Sequence, residues 1–150
     1  MTRKQRAIRV EVQVRGLLGD IALETAGNTD PETAVRLAHE ALNQFILNTT
    51  ICTKITNVVY LVISVGGIGR ALLECHEYET ARGVLNWAMV WMQKLGMKGE
   101  YARILAALAR VESAVGAPTE VVVRARTVAL EAAVAVQMGR LITECDSMIH

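Results

Sequence analysis

The chain has 150 residues, and its 52% hydrophobic content is mostly aliphatic, with aromatic residues at only 4%. Sixteen basic residues against fifteen acidic ones leave a formal net charge of +1. A chain this apolar and this evenly charged is neither disordered nor low-complexity, and it lacks the basic excess of a bulk nucleic-acid or membrane binder.

The charge is nevertheless uneven along the chain. Arg3, Lys4, Arg6, Arg9 and Arg15 face only Glu11 in the first fifteen positions. Such a start suits a solvated helix end, or contact with phosphate or an acidic surface. Residues 8–15 read Ile-Arg-Val-Glu-Val-Gln-Val-Arg, an alternation typical of a half-buried strand. They run without a turn signal into Leu17, Leu18, Ile21, Ala22 and Thr25, which sit at helical spacing. The segment therefore reads as helix, with strand as the alternative.

Thr29-Asp30-Pro31-Glu32 is a strong helix start: a capping oxygen, a proline pre-set for the first turn, and an acid at the positive end of the dipole. The helix from about 31 to 47 places Ala34, Leu37, Ala38, Ala41, Leu42 and Phe45 on one face. Asn48-Thr49-Thr50 interrupts that pattern and is expected to cap the next element. Residues 58–65 are rich in β-branched side chains and pose the same choice between strand and helix. They run into Ile68, Leu72 and Leu73, so they too read as helix. A helix over about 77–95 stops at Gly96, and one over about 98–115 stops at Gly116. Ala117-Pro118-Thr119-Glu120 opens the last helical region. The expected fold class is all-α, with six or seven helices in antiparallel hairpins forming a single domain.

Aligned on the turns near Thr29, His76 and Gly116, the chain repeats itself. Bulky–small pairs such as Ile21-Ala22, Ile68-Gly69 and Leu108-Ala109 precede each turn, and small or β-branched residues such as Ala34, Ala81 and Val121 follow it. The segment from Asp30 to Leu42 and the run Tyr78-Glu79-Thr80-Ala81-Arg82 resemble the second helix of a tetratricopeptide repeat. The resemblance covers about 15–130, with hairpins at about 15–47, 51–95 and 98–131 and a terminal helix at 132–147. The turn spacings of 47 and 40 exceed the family's usual value of about 34. Such longer hairpins are similar to the divergent repeats in sensor regions of bacterial transcription regulators.

The resemblance implies a short α-solenoid whose first helices line a peptide-binding groove. Mapped onto this chain, the groove takes Gly16, Gly19, Leu23, Ile63, Gly66, Arg70, Glu74, Arg103, Ala106, Arg110 and Ser113. Arg70, Arg103 and Arg110 are then placed to capture an acidic segment or a C-terminal carboxylate of a protein or peptide partner. Local pairing, as of Arg70 with Glu74, is the plainer account of them. Trp87 and Trp91 lie one turn apart and extend the apolar surface of their helix, either toward a neighbouring helix or toward a partner. The run Val128–Met138 is apolar nearly all round. With Val134 and Met138 it marks a candidate homo-oligomer surface over 121–142.

Motifs for chemistry are sparse. Cys52, Cys75 and Cys145 form no Cys-x-x-Cys pair and point to a reducing compartment, so the cytoplasm is the expected location. No signal-peptide run is present, and the most apolar stretch, 58–65, falls well short of the about 20 residues a membrane span needs. His39, His76 and His150 belong to no metal or catalytic pattern, and Gly66-Gly67-Ile68-Gly69 is not a nucleotide fingerprint but suits close helix packing. No metal and no other cofactor is expected. The expected function is a non-catalytic, self-associating interaction module, in scaffolding or sensing. The alternative is a small nucleic-acid-associated regulator using the basic N-terminus.

Overall fold

A computed structural model describes residues 1–136 and Cys145. Among these residues there are six helices and no strand. They are α1 (Arg3–Ala26), α2 (Pro31–Lys54), α3 (Val58–Glu74), α4 (Tyr78–Lys94), α5 (Lys98–Ala114) and α6 (Thr119–Ala135). The chain divides into two compact units, Met1–Glu77 and Tyr78–His150. In the first, α1, α2 and α3 pack on one another. In the second, α4 packs on α5 and α5 on α6. Most of the terminal helix expected at 132–147, with Met138, Gly139 and Ile142, lies outside the described residues, as does His150.

Both strand alternatives give way to helix. The first helix begins early because Thr2 and Gln5 form a reciprocal capping box. Its valine alternation has a helical cause. Val12 is buried, whereas Val10 and Val14 are exposed on the far side. Residues two apart on a helix differ by about 200°, so apolar side chains on two opposite faces mimic the period of a strand. The start of α2 follows the sequence expectation: Asp30 accepts a 2.9 Å bond from the Thr33 N–H, which also holds the Asp30 carboxyl below its usual range.

Asn48-Thr49-Thr50 does not end a helix, contrary to the sequence expectation. The hydroxyls of Thr49, Thr50 and Thr53 donate backward to the carbonyls of Phe45, Ile46 and Thr49, at 2.9, 3.1 and 2.8 Å. Side chains that signalled a cap are thus satisfied within the helix. Asn48 is buried and donates from Nδ2 to the Val12 carbonyl at 2.8 Å, tying α2 to α1. The hairpin limits drawn at 47 and 51 therefore move to the turn at 55–57.

That turn belongs to a series. Thr56, His76, Gly96 and Gly116 all have positive φ, at 57°, 63°, 69° and 73°, and they stand 20 residues apart. In each turn the following N–H reaches five residues back: Asn57 to Cys52, Glu77 to Leu72, Met97 to Met92 and Ala117 to Glu112, all between 2.9 and 3.1 Å. These are Schellman closures, which satisfy carbonyls that the helix end would leave open. Glycine performs this in the later turns, while Thr56 and His76 adopt the same conformation with a side chain. The α1–α2 turn is different, since Gly27 keeps a φ of −67°.

Burial recurs with twice that interval. Ala41, Phe45, Asn48 and Cys52 of α2 are buried, and so are Ala81, Leu85, Ala88 and Met92 of α4, 40 positions later. The same offset relates Val62, Ser64, Gly66, Gly67, Gly69 and Ala71 of α3 to Ala102, Ile104, Ala106, Ala107, Ala109 and Val111 of α5. The turn before α6 is one residue longer, and its buried Ala129 and Ala133 fall 41 positions after Ala88 and Met92. The repeating element is thus a single helix and turn of 20 residues from α3 onward, a period that the expected anchors at 29, 76 and 116 concealed.

The core of the first unit closes around the chain's only phenylalanine. Phe45 is 1% exposed. A Cβ on Gly19 of α1 would come within 2.6 Å of its ring, and one on Gly67 of α3 within 2.5 Å. Both glycines are therefore required by a side chain wedged between three helices. Arg70 lies over the same ring, 5.8 Å from its centroid.

Gly67→Ala should accordingly destabilise the protein by about 1–3 kcal/mol, despite alanine's higher helix propensity. Gly83 sits inside α4, and a Cβ added there would meet nothing within 4 Å. Gly83→Ala should stabilise the protein by about 0.5–1 kcal/mol. Chemical denaturation of both variants checks the contrast. The turns give a second pair: Thr56→Gly should raise stability by about 1 kcal/mol, and Gly96→Ala should lower it by a similar amount, because only glycine adopts positive φ without strain.

Candidate functional site

A cleft in the second unit combines an apolar lining with charged groups. Leu105 and Leu108 of α5 and Val121, Ala125 and Val128 of α6 line it with apolar surface, and its volume is about 320 Å³. Asn86 of α4, Glu112 and Arg124 supply its polar atoms. The lining follows from helix periodicity: Val121, Ala125 and Val128 are spaced by 4 and 3, which puts them on one face of α6.

The two charged groups at the cleft are in different states. Glu112 is held by Arg82, whose Nε lies 3.0 Å from Oε1 and whose Nη2 lies 3.2 Å from Oε2. This fork-on-fork pair is partly buried and links α4 to α5. Arg82 also meets Glu79 one turn earlier. Arg124 is exposed and has no ion-pair partner among the described residues. Among the described residues the cleft thus presents one cation without an ion pair beside an apolar floor, with Glu112 already paired.

The residues proposed from the sequence are distributed as follows. Arg70 pairs with Asp20 across 2.8 Å and rests on Phe45, with its side chain 19% exposed, so it braces α3 against α1 and α2. Glu74 is the last residue of α3. Arg103 and Arg110 are half-buried on α5, two turns apart. Gly19, Gly66 and Ala106, expected on a groove floor, are buried. Trp87 and Trp91 do come together, with ring centroids 6.1 Å apart and Lys94 5.1 Å above the Trp91 ring. Both are exposed on α4. Val128 lines the cleft, Val134 is exposed, and Met138 lies outside the described residues.

Most of the basic start is exposed. Arg3, Lys4, Arg6 and Arg9 are exposed on the first turns of α1, while Arg15 folds back on Glu11 at 3.0 Å and reaches Gln44 of α2. A second hollow of about 380 Å³ lies beside them, between the start of α1 and the α2–α3 turn, and includes Arg9, Ile8 and Ile55.

Cysteine chemistry is subdued at the described positions. Burial pushes the Cys52 thiol up, and burial followed by the nearby Glu77 and Glu74 pushes Cys75 up. Both are the reverse of an activated nucleophile. Among the described residues no cluster of three or more His, Cys, Asp or Glu is placed to hold a metal ion, and no helix is long and apolar enough to cross a membrane.

Sequence reasoning missed Arg124, Arg82 and Glu112 as site residues. The α6 spacing was legible, but the pairing of Arg82 with Glu112, 30 positions away, has no local signature. No protein-family model matches the chain, and no curated protein matches it.

Proposed function

We propose that the chain is a non-catalytic protein-interaction module of tetratricopeptide-like helical hairpins, as in the sensing or scaffolding part of a bacterial regulator. Its ligand is a short peptide segment with an apolar side chain next to a carboxylate. One observation carries the reading: an apolar cleft of about 320 Å³ with Arg124 at its edge, free of ion pairs among the described residues. That volume lies at the small end of ligand pockets and matches one or two side chains. Arg124 supplies a planar donor for a carboxylate, whether from Asp, Glu or a chain terminus. The 20-residue recurrence of turns and the 40-residue recurrence of buried positions support the repeat part of the reading.

A library of random heptapeptides with free C-termini, selected against the whole chain, tests it. Selected peptides should share an apolar residue adjacent to a carboxylate. Ala125→Trp should abolish their binding by filling the cleft. Arg124→Glu should weaken it by about tenfold or more by opposing the carboxylate. Both variants should keep the parent's circular dichroism. Peptides that bind both variants as well as they bind the parent would contradict the proposal.

A further inference from the structure

The first helix has two apolar faces. Val12, Gly19 and Ala26 are buried against the rest of the first unit. On the opposite side Val10, Val14, Leu17, Leu18 and Ile21 are each between 49% and 60% exposed. A helix that is apolar on both sides is one that other elements cover on both sides. Here the second cover is missing among the described residues, and the stripe is long, running about 16 Å along the axis from Val10 to Ile21.

We propose that this stripe is covered by α1 of a second copy of the chain, running antiparallel across a two-fold axis. Two features of the helix select that occupant. The first is spacing. Val10, Val14, Leu17 and Ile21 are separated by 4, 3 and 4 residues, a pattern that reads the same in both directions. A two-fold axis level with the midpoint of Arg15 and Gly16 sets Val10 against the partner's Ile21 and Val14 against the partner's Leu17. Each of these four residues thus meets an apolar counterpart, as an isologous interface requires, while Leu18 falls level with the polar Gln13. Alternating spacings of 4 and 3 are also those of a helix–helix seam. The second feature is charge. The first half of α1 carries Arg3, Lys4, Arg6 and Arg9 against Glu11, whereas the second half carries Asp20, already paired with Arg70, and Glu24 against Arg15. Antiparallel pairing keeps the two basic halves apart, each lying along the half of the other helix that lacks the basic excess. Parallel pairing would set the basic halves together, at an electrostatic cost.

The stripe shares no residue with the peptide cleft, which lies on α4, α5 and α6. Self-association through α1 also falls on a different element from the one expected from sequence, the run at 121–142. Sedimentation of the whole chain tests it. The parent should be a dimer, and Leu17→Glu should raise its dissociation constant by about a hundredfold or more, since the symmetry introduces the charge twice. The exposure of Leu17 lets the monomer keep its helical circular dichroism, and Val134→Glu on α6 should leave the dimer intact. Orientation has its own readout that needs no change in stability. After mild oxidation, an equimolar mixture of Val14→Cys and Leu17→Cys chains should give a 14–17 cross-link, while each variant alone should give no 14–14 or 17–17 link. A monomeric parent, a dimer that survives Leu17→Glu, loss of the dimer through Val134→Glu alone, or 14–14 cross-linking would each overturn the proposal.

Discussion

The first unit is organised by a single steric demand. A phenylalanine projecting from the middle of α2 must fit between two other helices, and it fits only because both present a residue without a Cβ. Gly19 and Gly67 let α1 and α3 approach the ring, and Arg70 then covers it while pairing with Asp20. The ring also fixes the vertical register of three helices, since each must present a particular residue at its level. Asn48, one turn further along α2, repeats the locking in polar form by donating to the Val12 carbonyl. Burying a phenylalanine in this way contributes about 3–5 kcal/mol relative to alanine, a large share of the stability of a small unit.

The second unit occupies the same positions with a different division of volume. Leu85 stands 40 residues after Phe45, and Ala107 stands 40 residues after Gly67. At the corresponding positions leucine takes the place of phenylalanine and alanine the place of glycine. Such compensating exchanges preserve the volume a core must fill, which is why a repeat can diverge in sequence while its buried positions keep their spacing. The turns diverge in the same spirit: the closing hydrogen bonds persist where Thr56 and His76 stand in place of glycine. What persists is backbone geometry and volume, and neither shows as residue identity in a single sequence.

Features with a local chemical signal were legible in the residues alone: the all-α class, the Asp30 cap and the stops at Gly96 and Gly116. The glycine-rich stretch of α3 was legible as packing, but not the residue it packs on, since Phe45 is 22 positions before Gly67. The threonines after Asn48 misled because a hydroxyl that caps one helix can bond back inside another. The alternating valines of α1 left a strand open as the alternative to helix because a helix with apolar residues on two sides produces the same alternation. The cleft was illegible because its cation is defined by what it does not pair with, and that depends on Arg82 having already claimed Glu112.

Recognition is proposed to reside in the cleft where α5 meets α6. Amide chemical shifts of the isotopically labelled chain, followed as a selected carboxylate-bearing peptide is titrated in, test it most directly. Perturbations should concentrate at Leu105, Leu108, Val121, Arg124 and Val128, with Arg124 side-chain signals shifting at the same peptide concentration. Perturbations centred instead on Trp87 and Trp91, or on Arg3 to Arg9 of α1, with the cleft unmoved at saturation, would contradict it.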